Sequence, residues 1–114
     1  MIAVIFEVWP ASGRRDEYLA LAASMRDDLY EMDGFISIDR FHSIYDEGKM
    51  LSLQFWRDEA SVMAWRVRLD HRRMQEMGRG GVFRDYRLRV AEVTRDYGMT
   101  ERAEAPADSL AALA

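Results

Sequence analysis

Residues 2 to 9 run Ile-Ala-Val-Ile-Phe-Glu-Val-Trp, and in an extended chain, where successive side chains point to opposite faces, the segment is apolar on both. Ile2, Val4, Phe6 and Val8 take one face, and Ala3, Ile5 and Trp9 take the other, interrupted only by Glu7. β-Branched and aromatic residues favour a strand, and Pro10 with Ser12-Gly13 closes it with turn chemistry. A strand that is apolar on both sides has to be covered on both, so the chain must supply a helical layer for one face and a partner for the other.

The remaining pattern supplies that layer. From Arg14 to Met32 the residues Tyr18, Leu21, Ala22, Met25, Leu29 and Met32 recur at steps of three and four, which predicts one amphipathic helix ended by Asp33-Gly34. Phe35 to Ser43 alternates, with Ile36 and Ile38 opposite Ser37 and Asp39; Asp46-Glu47-Gly48 offers a turn, and Met50 to Trp56 alternates again, which predicts a hairpin. Asp58 is placed to cap a second helix carrying Ala60, Met63, Ala64 and Val67. The helical pattern resumes through His71, Met74 and Met77 until Gly78, Gly80 and Gly81, so a bent or broken helix is expected. Phe83 to Tyr97 reads as a last strand, with Tyr86, Leu88 and Val90 facing one way and Arg87, Arg89, Ala91 and Val93 the other.

The order βαββαβ predicts an α+β, ferredoxin-like fold: a four-stranded antiparallel sheet with both helices on one face. Residues 1–99 are read as this domain, and residues 100–114, Ala-rich with Pro106, as a C-terminal tail that is either flexible or docked on a dimer. The bare sheet face predicts a homodimer made sheet on sheet.

Composition removes several function classes. There is no cysteine, hence no disulfide, thiolate metal site or cysteine nucleophile. The 20 acidic and 16 basic residues are interspersed, so no basic stripe exists for a phosphate backbone and no nucleic-acid partner is expected. The opening apolar run is ended by Glu7 and falls far short of the roughly 20 residues of a membrane helix; it is read as a strand and not a signal peptide, and a cytoplasmic location is expected. Gly78-Arg79-Gly80-Gly81 ends a helix where a dinucleotide fingerprint would open one, so no nucleotide cofactor is indicated.

The stretch Ser52-Leu53-Gln54-Phe55-Trp56-Arg57-Asp58-Glu59-Ala60, followed by Ala64-Trp65-Arg66 and His71-Arg72-Arg73, resembles the antibiotic biosynthesis monooxygenase (ABM) domain family. Asp33-Gly34-Phe35-Ile36-Ser37 and Asp85-Tyr86-Arg87-Leu88-Arg89-Val90 fall where that family places its second and fourth strands, and the similarity extends over roughly residues 1–97. The resemblance implies a dimeric α+β barrel with a pocket in each protomer between sheet and helices. It also implies oxidation of aromatic or quinol-like molecules by dioxygen without flavin, metal or haem. Such chemistry asks the protein only to bind an electron-rich substrate, position a base and stabilise an anion.

On that resemblance Trp65 is the helix tryptophan that lines the substrate pocket, and the competing reading is a core aromatic. His71 and His42 are the candidate catalytic bases, each equally explicable as a surface residue. Trp9, Phe41, Phe55, Tyr86 and Met74 are candidate substrate contacts, with core packing as the alternative. Arg87 and Arg89 are read as partners of carboxylates such as Glu7 or Asp39. Haem-degrading relatives use a first-strand Asn and a His about ten residues after the helix Trp; here those places hold Glu7 and Gln75, and the chain has no Asn. Three functions stay open: a cofactor-independent monooxygenase acting on a small hydrophobic or aromatic molecule, a haem-binding relative, and a non-catalytic dimer that binds a small ligand or serves a stress response.

Overall fold

The structure is a computed structural model that describes residues 1–70 and 80–112. Its sheet is built from β1 (Ile2–Pro10), β2 (Phe35–His42), β3 (Met50–Trp56) and β4 (Phe83–Glu92), ordered β2-β3-β1-β4 with every pairing antiparallel. Helices α1 (Arg15–Ser24), α2 (Arg26–Glu31) and α3 (Glu59–Asp70) cover one face, and a short α4 (Ala107–Ala112) lies in the tail. This is the ferredoxin-like arrangement, with the most apolar strand, β1, in the interior of the sheet.

Register explains the two apolar faces of β1. Val4 and Val8 are buried beneath the helices, with Ile2 and Phe6 packed around them. Ala3 lies opposite Phe55, Ile5 opposite Leu53 and Glu7 opposite Leu51 on the face without helices. Under the helices the core centres on Trp56, which is fully buried, stacked edge-on to Phe35 (5.3 Å) and tilted against Trp65 (6.4 Å). Each such ring pair adds about 0.5–1.5 kcal/mol beyond simple burial. A second aromatic group joins Phe6, Tyr18, Phe83 and Tyr86, whose ring centroids lie 5.6–5.9 Å apart.

Three local expectations change. The expected single helix from Arg14 to Met32 is two: the Ser24 hydroxyl donates to the Leu21 carbonyl at 2.6 Å and the Met25 N–H bonds back only three residues to Ala22, so the turn tightens and the axis breaks. Ile36 and Ile38 do not share a face. A bulge between Phe35 and Ser37 puts Phe35 and Ile38 against the core and leaves Ile36 half exposed. The last strand stops at Glu92, well short of Tyr97.

The turns form as read. The Asp58 carboxylate accepts the Ser61 N–H (2.8 Å) and hydroxyl (2.7 Å) and so caps α3. Asp46 accepts the Gly48 N–H at 3.1 Å in the hairpin loop. Gly34, just past α2, has φ +85°; a Cβ there would stand 2.7 Å from the Ser61 Cβ. In the tail, the Arg102 guanidinium sits 5.5 Å from the Tyr97 ring and Ala105 is buried.

Candidate functional site

Between the helical layer and the sheet lies a cavity of about 190 Å³. Its floor is Val4 and Phe6 of β1, Arg40 of β2, Ser52 and Gln54 of β3, and Tyr86, Leu88 and Val90 of β4. Its roof is Tyr18 and Ala22 of α1, Met25 at the break between α1 and α2, Leu29 of α2, and Val62, Trp65 and Arg66 of α3. Val4, Ser52 and Trp65 are buried, whereas Tyr86, Leu88 and Val90 are close to half exposed, so the cavity opens to solvent over β4. An engineered cavity of about 150 Å³ holds a benzene ring, so the space suits one ring with a short chain.

The lining is apolar apart from Tyr18, Arg40, Ser52, Gln54 and Arg66. Arg40 pairs across the ladder with Ser52, and the Tyr18 hydroxyl faces the Arg40 guanidinium. Burial pushes the Tyr18 phenol up and the Arg40 charge acts in the opposite, smaller sense, so Tyr18 stays a neutral donor. Trp56 Nε1 donates to Gln54 Oε1 at 2.9 Å, which leaves the amide NH2 as what Gln54 can offer a ligand. Among the described residues the lining holds two guanidinium groups and no carboxylate or imidazole. It therefore favours negative charge at its centre.

The expected site residues separate. Trp65, 7% exposed, and Tyr86 both line the cavity, and Trp65 is at once pocket wall and core. Phe55 and Phe41 stand on the other face of the sheet, opposite Ala3 and Leu51 respectively, and Phe41 is half exposed. Trp9 is engaged structurally: its indole N–H donates to Asp46 at 3.0 Å and the Lys49 amine lies 5.2 Å from its ring. His42, at the end of β2, contacts Arg15 and borders a shallow groove with Ile5, Glu7 and Lys49; it does not line the cavity. His71 and Met74 lie outside the described residues.

Glu7 also points away from the cavity, into ion pairs with Lys49 (2.5 Å) and with Arg89, the structural pairing expected for that arginine. The Lys49 hydrogen bond holds its carboxyl below the usual range. Among the described residues no three His, Asp or Glu side chains gather into a metal site, and no helix is long and apolar enough to cross a membrane. Arg40, Ser52 and Gln54 received no role from the sequence. The available signal was that all three are polar residues in phase with the buried members of β2 and β3.

This fold is shared with solved proteins of low sequence identity. A Deinococcus radiodurans protein superposes with a TM-score of 0.75 at 9% identity, covering 88% of this chain and 99% of its own. Rv0793 from Mycobacterium tuberculosis gives 0.73 at 20% identity, covering 85% and 98%.

Residues 1–77 match the family model for antibiotic biosynthesis monooxygenase, and the chain belongs to that family. Over 94 residues it is 49% identical to a protein of Pyricularia oryzae named jasmonate monooxygenase ABM, covering 82% of this chain and 44% of that protein. The chain thus spans less than half the length of that curated relative.

Proposed function

We propose that the chain is a monooxygenase that oxidises a small, mainly apolar molecule with dioxygen in the cavity between sheet and helices, using no bound cofactor. The observation that carries this reading is the lining: flat rings at Trp65 and Tyr86, aliphatic walls, and cationic donors without a counter-carboxylate among the described residues. A phenol, or a CH2 made acidic by a neighbouring carbonyl, ionises more easily in such surroundings, and its anion is electron-rich enough to reduce dioxygen. The balance then closes without a reductant. The CH2 loses a proton, its carbon takes up dioxygen as a hydroperoxide, and loss of water breaks the O–O bond, leaving one oxygen atom in C=O and the other in the water. We assign the proton acceptor to His71, which follows Asp70 in the sequence. The bare sheet face carries Ala3, Ile5, Leu51, Leu53 and Phe55, and we assign it to a second copy of the chain.

Oxygen uptake by chelator-treated protein tests this on a panel of single-ring and fused-ring phenols and enolisable ketones, with jasmonate included because the Pyricularia relative is named for it. At least one compound is expected to consume dioxygen without added reductant, and Ala22→Phe, which fills the cavity from α1, is expected to abolish the uptake. No uptake with any compound, or full activity in Ala22→Phe, overturns the reading. Uptake that requires NADPH or reduced flavin removes its cofactor-free part.

A further inference from the structure

The ion pairs among the described residues are made by Arg14, Lys49, Arg57, Arg68 and Arg89; Arg40 makes none. Its Nε is buried and has no hydrogen-bond partner. An unpartnered guanidinium nitrogen at the wall of an apolar cavity is costly unless something arrives to meet it. Its neighbours leave Nε unmet: Ser52 lies across the ladder, the Tyr18 hydroxyl accepts from the guanidinium without reaching Nε, and the adjacent carboxylate, Asp39, lies opposite Leu53 on the other sheet face. Nε together with a neighbouring terminal nitrogen forms a two-pronged edge that matches the two oxygens of a carboxylate.

We propose that Arg40 is a specificity-determining residue that receives a carboxylate on the substrate, so that the cavity selects small ring-bearing monocarboxylic acids over their esters. This rests on the reading of the cavity as the substrate site and narrows the substrate class. The apolar walls hold the hydrocarbon part, Arg40 fixes one end, and the mouth over β4 is the entrance.

Titration of the purified protein with 4-phenylbutanoate and with its methyl ester, followed by tryptophan fluorescence because Trp65 lines the cavity, tests it. The acid is expected to bind roughly ten- to a hundredfold tighter than the ester, the worth of a charged two-pronged hydrogen bond. Arg40→Gln is expected to level the two by weakening the acid. Arg95→Gln, at an exposed position outside the cavity lining, is expected to keep the preference. Equal binding of acid and ester by the parent protein, or a full preference in Arg40→Gln, overturns the proposal. Should Arg40→Gln fail to fold, Arg40→Lys keeps the charge and loses the fork; a reduced preference supports the proposal and an undiminished one overturns it. Binding is read without turnover, so the two ideas fail separately. An Arg40-dependent acid preference with no oxygen uptake keeps the carboxylate site and removes the oxygenase reading, whereas uptake with neutral compounds and no acid preference does the reverse.

Discussion

At the scale of single residues, the junction between α2, β2 and α3 shows how a few groups fix the roof of the cavity over its floor. Arg57 bridges Asp33 (3.1 and 3.2 Å) and Asp58 (2.8 Å), and its N–H donates to the Gly34 carbonyl at 2.7 Å. Gly34→Ala would force a Cβ into a left-handed backbone and against Ser61, so a loss of about 2 kcal/mol or more is expected in denaturant titration, and a loss under about 0.5 contradicts the account. The carboxylates nearby set an acid limit. Asp58 is held well below its ordinary range, first by the Ser61 hydroxyl and then by Arg57, and Asp33 is lowered by Arg57. A depressed carboxylate stabilises the fold above its unfolded pKa of about 4 and loses that contribution as pH falls through its folded value, because the unfolded chain takes up protons first. Thermal melts are therefore expected to hold level down to about pH 5 and fall below about pH 4, with a shallower fall in Asp58→Asn. A flat acid profile contradicts the account.

Among the elements, α2 depends most on its neighbours. Six residues are too few to form a helix alone, and it is held by Leu29, 2% exposed, against Trp56, Val62 and Trp65. Leu29→Ala is expected to cost about 3 kcal/mol in denaturant unfolding, and a change under about 1 kcal/mol contradicts the packing described. Strand identity and order were legible because residues 2–9, 50–56 and 83–92 carry β-branched, aromatic and alternating side chains, and the α3 cap was legible because Asp58 precedes a helical apolar repeat. The bulge after Phe35 was not, since alternation counts residues and cannot see one that drops out of the ladder. Nor was the break at Met25, where a serine hydroxyl competes for a helix carbonyl without disturbing the apolar spacing. The candidate site was only half legible: Trp65 came from the family resemblance and Tyr86 from its size, a signal that pointed equally to Trp9, Phe41 and Phe55 outside the cavity, whereas Arg40, Ser52 and Gln54 look like ordinary polar strand residues until the register turns them under the helices.

For the whole molecule, the helical layer gives one face of the sheet its cavity, and the other presents Leu53 and Phe55 beside Ala3 and Ile5. Light scattering at micromolar concentration is expected to give a dimer, and Leu53→Glu a folded monomer by circular dichroism; a monomeric parent protein contradicts the assignment of that face. A monooxygenase is defined by where the atoms of dioxygen go. Turnover of whichever compound supports oxygen uptake, carried out under ¹⁸O-labelled dioxygen and read by mass spectrometry, is predicted to place one labelled oxygen in each product molecule and the other in water. A product without label, or labelled hydrogen peroxide in its place, would contradict it.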